Sequence, residues 1–418
     1  MPGVTVSCAI SCRSRAAIAA SPFRRHVHAL ARTNANTRGV TGVKAPIIPW
    51  SVLDLMMLQQ LPQLRRIHGL RVELATDSDA DDLAFTFPPL LESADLHLSF
   101  DYQLAEDDDD FDEFDDDLAQ THLLRALWPC RSLTQLSITL RPECRLSIEA
   151  LLDLPTLQIL AFDIESASDE NDEQVCFDEE QMSVVKQLPN LRRLTLRDSR
   201  RDLQLGDLFM NGWPRWLCSL PHRLQQLQEL DLSRLSLRPE HVELLHIGLP
   251  ALTALEPDSI HHPALILLPK FASRLRTLNL RVDIGFAAVV GASLFLPHLT
   301  PCSRLTELTL CDCAFSEAEA ETLCRALPDL KVLELQTVGW PSFEPLRHLP
   351  QLESFSLQRA TGADFPLHMV AEHFAPLKRL RALSLIAMNG DPDSPAIAAL
   401  RPPSALLPAL VHFRFTSL

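Results

Sequence analysis

Cys302, Cys311, Cys313 and Cys324 crowd into the stretch CSRLTELTLCDCAFSEAEAETLC, residues 302–324. Thiolates are soft metal ligands, so zinc is the first chemistry such a cluster raises. A structural zinc site draws its cysteines from pairs two to four residues apart on converging turns. The spacing here, C-x8-C-x-C-x10-C, does not supply such pairs. The remaining thiols, Cys8, Cys12, Cys130, Cys144, Cys176 and Cys218, are scattered along the chain. That usage fits reduced cysteines in a cytosolic or nuclear compartment better than a small secreted disulfide scaffold. Carboxylates form the second group. The run EDDDDFDEFDDD, residues 106–117, embeds Phe111 and Phe114, and DIESASDENDEQVCFDEE follows at 163–180. Calcium loops alternate their acids and need a glycine turn and a closing Glu, which DDDD lacks. A solvated insertion, or an electrostatic lure for a basic protein partner, fits the run instead.

Recognisable catalytic constellations are absent. There is no G-x-S-x-G, no Walker loop and no G-x-G-x-x-G, and 12 glycines leave little for phosphate-cradling turns. HHP at 261–263 lacks a partner spaced as in H-E-x-x-H. NGWPRW at 211–216 reads as a packed insertion or, with Trp beside Arg, as a protein contact. The chain is therefore read as non-enzymatic, without cofactor or metal.

The elements that would position any surface come from a wider view. At 418 residues the chain can bury a large core or form one elongated array. A net charge of -16 argues against nucleic acid or an anionic bilayer as partner. No run of about 18 apolar residues is present, so no spanning helix is expected. Residues 1–50 contain no acid but carry Arg13, Arg15, Arg24, Arg25, Arg32, Arg38 and Lys44. This basic segment is expected to be disordered, and an organelle transit peptide or a gene-model artefact are the other readings.

From Leu61 onward the chain repeats L-x-x-L-x-L: LTQLSI (133–138), LQILAF (157–162), LRRLTL (191–196), LQELDL (227–232), LRTLNL (275–280), LTELTL (305–310), LKVLEL (330–335), LESFSL (352–357), LRALSL (380–385) and LVHFRF (410–415). IHGLRV (67–72) and LTALEP (252–257) are weaker copies, and Leu-Pro-x-Leu precedes many of them. The period-two alternation predicts short half-buried strands. Between strands, SEAEAETLCRAL predicts a helix with Ser316 and Glu319 as a capping box and Pro328 as its stop. SIEALLDL (147–154), DEEQMSVVKQL (178–188) and PEHVELLHIGL (239–249) predict further helices.

These repeats resemble the leucine-rich repeat family, irregular and intracellular in type, over residues 61–418. The resemblance implies an α/β solenoid, a horseshoe with parallel strands on the concave face and helices or irregular segments on the convex face. Its domain would span 51–418, with 106–117 as an acidic insertion. It also implies that the position three after the last Leu turns inward, usually as Asn or Cys. Cys313 stands there, whereas Ser199, Leu235, Asp283, Val338, Ala360 and Met388 break any asparagine column. Cys311 is expected outward on the concave face and Cys324 on the helix. The family resemblance further implies non-enzymatic binding of a protein partner through the concave face. Outward charged and amide residues, Arg193, Arg197, Glu229, Asp231, Asn279, Arg281, Glu307, Glu334 and Gln336, are the candidate contacts. Arg193 and Arg197 facing Glu229 and Asp231 are equally consistent with mutual pairing. Many such arrays carry an F-box, and PWSVLDLMMLQQLPQL (49–64) is the one place for it, though it lacks the usual Leu-Pro start. A substrate receptor for a ubiquitin ligase, with ligase subunits as partners, is thus the alternative. A GTPase-regulating or catalytic role is the remote one. The expected location is cytoplasmic, with nuclear or organellar alternatives.

Overall fold

Most strands described in the protein begin at the same tight turn. In the computed structural model, the second leucine of Leu-Pro-x-Leu donates its N–H back to the first one's carbonyl. Leu64 bonds Leu61 at 3.0 Å, Leu252 bonds Leu249 at 3.1 Å, Leu352 bonds Leu349 at 3.1 Å and Leu410 bonds Leu407 at 3.0 Å. Proline suits the turn because its fixed φ matches and its missing N–H is not called for. Both leucines are buried at every one of these turns. The structure describes residues 4–7, 40–44, 58–74, 86–100, 124–140, 148–164, 183–198, 224–283, 290–358, 373–388, 395–398, 400–401 and 407–417. The acidic run 106–117, NGWPRW, most of 163–180 and most of the basic segment 1–50 lie outside the described residues. So do residues 51–57 of the candidate F-box segment.

The chain divides into two compact units, Met1–Leu227 and Gln228–Leu418. In the first, parallel strands β1 (Val4–Ser7), β2 (Val40–Lys44), β3 (Arg66–Leu74), β4 (Ser93–Phe100), β5 (Gln135–Leu140), β6 (Ile159–Ile164) and β7 (Arg193–Asp198) follow in chain order. In the second, the strands are β8 (Glu229–Leu237), β9 (Ala254–His261), β10 (Thr277–Asp283), β12 (Glu307–Cys311), β14 (Val332–Gln336), β15 (Ser354–Gln358), β16 (Ala382–Met388) and β17 (His412–Ser417). A separate two-stranded ladder pairs β11 (Val290–Gly291) with β13 (Cys313–Ala314). Sequential parallel strands with return segments between them are the leucine-rich repeat solenoid that the sequence predicts.

The register carries the core. Leu278, Leu308, Leu333, Phe355, Leu383 and Phe413 stand in one inward row, and Leu280, Leu310, Leu335, Leu357, Leu385 and Phe415 in the next. Up to Leu385 every residue of both rows is at most 1% exposed. In the first unit Leu136, Leu160 and Leu194 form a row, beside Ile138, Phe162 and Leu196. Each side chain buries against the one before and the one after, so a repeat leaves its apolar face uncovered unless a neighbour stacks on it.

The return segments differ from expectation in type. Helix α1 (Pro239–Gly248) and helix α2 (Glu317–Ala326) form where predicted. In α2 the Ser316 N–H donates to Glu319 Oε2 at 2.8 Å and the Glu319 N–H donates to Ser316 Oγ at 3.4 Å, the predicted capping box. By contrast, 147–154 yields only a 3-10 turn, Glu149–Asp153, and within 178–188 the described helix covers just 183–185. Further 3-10 turns occupy His262–Phe271 and Glu344–His348.

The sequence reading overlooked several strands: β1 and β2, within the segment expected to be disordered, the short β11 and β13, and β4. β4 follows the pattern as Leu91-x-x-Ala94-x-Leu96, all three buried, with alanine in place of the middle leucine. On β8 the register shifts between Leu232 and Ser236, and Leu237 pairs with Ile260 inside the core.

Candidate functional site

The alternation that buries the leucines turns every second side chain of each strand away from the core. In the first unit three outward rows are continuous across β5, β6 and β7: Gln135, Ile159, Arg193; Ser137, Ala161, Thr195; and Thr139, Asp163, Arg197. Arg193 and Arg197 are exposed. β4 adds Asp95 and His97 opposite Ser137 and Thr139. Asp95 was not anticipated, yet it holds the first unit's bulge in place. Its Oδ2 accepts from the Gly69 N–H at 3.1 Å, and Gly69, at φ +64, occupies a conformation glycine takes without strain.

In the second unit the outward rows run Thr277, Glu307, Val332, Ser354, Ala382, His412 and then Asn279, Thr309, Glu334, Ser356, Ser384, Arg414. A third row aligns Arg281, Cys311, Gln336, Gln358 and Ile386. Five of the candidate residues, Asn279, Arg281, Glu307, Glu334 and Gln336, therefore share one surface, on β10, β12 and β14. Glu229 and Asp231 lie on β8 of the same unit. Asp231 is 8% exposed, and its Oδ1 accepts from the Ser233 N–H at 2.9 Å. Arg193 and Arg197 belong to the first unit, so their pairing with Glu229 and Asp231 stays a proposal.

Arg281 is the hub of this surface. Its Nε lies 2.8 Å from Asp312 Oδ2 and its Nη1 3.8 Å from Asp258 Oδ1, ion pairs to the two flanking repeats. Sequence reasoning missed both acids. Asp258 follows Pro257 on a strand longer than LTALEP suggested, and Asp312 sits in the turn after β12 at φ +53. Asp tolerates that left-handed turn better than most side chains, and this was the available signal. Beside the hub, Glu334 Oε1 accepts from Gln336 Nε2 at 3.0 Å, and Thr277 Oγ1 donates to Glu307 Oε2 at 3.4 Å.

The cysteines are placed by packing. Cys311 does stand in an outward row, but it is 6% exposed, closed over by Asn279 and Gln336. Its thiol reaches Gln336 Oε1 at 3.7 Å and Asn279 Oδ1 at 3.9 Å. Cys313 turns inward, 2% exposed, and contributes through its backbone, its carbonyl accepting from the Gly339 N–H at 2.8 Å. Cys324 is buried on α2 next to Leu323. Cys302 and Cys130 stand where the first leucine of Leu-Pro-x-Leu stands elsewhere, accepting from Leu305 at 3.0 Å and Leu133 at 2.9 Å. A small buried thiol fills the leucine site there. No group of three His, Cys, Asp or Glu able to hold a metal occurs among the described residues.

Burial pushes the thiols of Cys130 and Cys324 up to about 12 and those of Cys302 and Cys311 up to about 11. The thiolate is the reactive form. Alkylation of the native chain at pH 8, read by peptide mass mapping, is therefore expected to spare these four and to reach them in denaturant. Rapid native labelling of Cys311 would show that the outward row is open at that point.

Ser354, Ser356, Ala382, Ser384, His412 and Arg414 line a shallow depression of about 440 Å³ on β15–β17. Among the described residues, no helix is long and apolar enough to cross a membrane.

No family model and no curated protein matches the chain. Among solved structures it is similar to an internalin from Listeria monocytogenes, at 14% identity over 95% of this chain and 95% of that one, with a TM-score of 0.42. It is also similar to a leucine-rich repeat protein from Leptospira interrogans, at 15% identity over 92% of this chain and 98% of that one, with a TM-score of 0.38.

Proposed function

We propose that the chain is a non-enzymatic protein-binding module whose outward strand rows receive a protein partner. The observation that supports this is the polarity of those rows. The inward rows are unbroken Leu and Phe, whereas the outward ones carry charged, amide and hydroxyl side chains on strand after strand. From β8 to β17 that surface extends on the order of 30 Å at about 4.8 Å per strand, the width of a protein–protein contact. Rigid neighbouring strands hold these groups in fixed register, which lowers the entropy cost of binding. The contacts proposed are Arg193, Arg197, Glu229, Asp231, Asn279, Arg281, Glu307, Glu334 and Gln336. The acidic run 106–117 would add long-range attraction for a basic partner, felt most at low salt.

Reversing Arg193 and Arg197 to Glu tests the reading. Both are exposed, so folding measured by circular dichroism is expected to persist while a partner purified from the chain's own cells is lost. Undiminished recovery of the same stoichiometric partner by the double variant would overturn the assignment of that face.

A further inference from the structure

Two charges of the second unit stand at opposite ends of one outward row without touching, Arg414 at the rim of the depression and Glu334 one strand beyond it. Glu334 of β14, Ser356 of β15, Ser384 of β16 and Arg414 of β17 occupy one register row. The Glu334 carboxylate accepts from Gln336, and neither it nor Arg414 makes an ion pair among the described residues. Three strand spacings of about 4.8 Å put roughly 14 Å between their backbones, too far for carboxylate and guanidinium to meet. A second carboxylate neighbours the acidic end and an imidazole the basic one. Glu307 lies diagonal to Glu334 one strand away, and His412 precedes Arg414 by two residues on β17. Between the ends the floor is small and hydroxylated: Ser354, Ser356, Ala382 and Ser384, all half-buried. The depression over this floor, about 440 Å³, is shallow and open to solvent. Serine hydroxyls donate and accept, and so can meet the amide groups of a chain laid over them.

We propose that this row binds an extended segment of the partner protein laid across β14–β17. A Lys or Arg of that segment would sit on Glu334 and an Asp or Glu on Arg414. An extended chain advances about 3.3–3.6 Å per residue, so roughly 14 Å sets the two charged residues four positions apart. The residues between them are small, because the serine floor is shallow. A carboxylate end excludes a polyphosphate, and a guanidinium end excludes a purely cationic segment, so both charges select the same class of ligand. The proposal rests on the reading of the outward rows as a protein-binding surface and adds the chemistry of what they bind.

The test uses the full-length chain and fluorescently labelled, acetylated and amidated peptides. Each peptide carries one Lys and one Glu separated by an increasing number of Ser and Ala, in both orders. Anisotropy is expected to show tightest binding at a separation of four. Glu334→Lys and Arg414→Glu should each weaken that binding at least ten-fold, and the double variant should prefer the opposite charge order. Affinity that ignores spacing and both substitutions, or no binding by any peptide, would overturn the proposal. Ser384→Arg, which fills the depression, separates this failure from failure of the parent reading. If the peptides fail but Ser384→Arg abolishes capture of the cellular partner, the surface reading stands and the dipolar segment falls. If neither responds, both fall.

Discussion

Replacing Phe355 by alanine is expected to cost the second unit about 3–5 kcal/mol, the range for emptying a buried aromatic site. Phe355 is 0% exposed and stands in the inward row where Leu308, Leu333 and Leu383 stand on other strands. Its ring is the centre of an aromatic cluster. It meets Phe343 edge-on at 6.0 Å and Phe374 at 5.8 Å, while those two lie 4.9 Å apart. Two of the three rings come from return segments, so removing the strand residue leaves a cavity between strand and return that neither side can close. In a stacked array each repeat is stabilised by its neighbours, so the loss extends to β14 and β16. Phe355→Leu restores the residue type of the other strands, yet still leaves the ring-shaped space, and is expected to cost only about 1–2 kcal/mol. Urea unfolding followed by circular dichroism measures both, with midpoints compared because two units need not unfold together. A loss below about 1 kcal/mol for the alanine variant would show that the cluster is not packed as a unit.

Removing one buried imidazole is expected to change how the protein responds to acid. His241 is 3% exposed at the first turn of α1, and its Nδ1 accepts from the Arg238 N–H at 3.1 Å, so the neutral ring caps the helix. Burial, with Arg238 and then His261 nearby, lowers its pKa to about 3, and Glu240 at 4.0 Å is too exposed to reverse this. The folded pKa lies below the ordinary value of 6.5, so between pH 6.5 and 3 the unfolded chain binds a proton that the folded chain refuses. Stability from this group is complete above pH 6.5 and falls as pH drops toward 3, by about 1.4 kcal/mol per pH unit and a few kcal/mol in all. Glutamine at 241 can still reach back to the cap and does not titrate. His241→Gln should therefore be less stable than the native chain at pH 7, and the gap should close or reverse by pH 4. Parallel stability curves for the two proteins over that interval would refute the role of His241.

The inward half of this structure is legible in the sequence. L-x-x-L-x-L declares its strands because leucines two apart must share a face, and a face of leucine must be covered. Leu-Pro-x-Leu marks the turns for an equally local reason, and Ser316 with Glu319 marks a helix start. Substitution hid what local pattern could not carry. Ala94 concealed β4, and Cys130 and Cys302 concealed two turns, because a core tolerates a smaller buried side chain that the motif does not mention.

The outward half was legible only as a roster. Sequence spacing alone established that Asn279, Arg281, Glu307, Glu334 and Gln336 face away from the core, since alternation along a strand is local. Which of them meet is a matter of register between strands, and register depends on return segments of unequal length. Only the tertiary structure brings Asp258 and Asp312 onto Arg281, closes Asn279 and Gln336 over Cys311, and aligns Glu334 with Arg414 across two serines. Charges far apart in sequence interact through spacings that burial of the leucines imposes, and that long-range constraint has no signature in any single repeat.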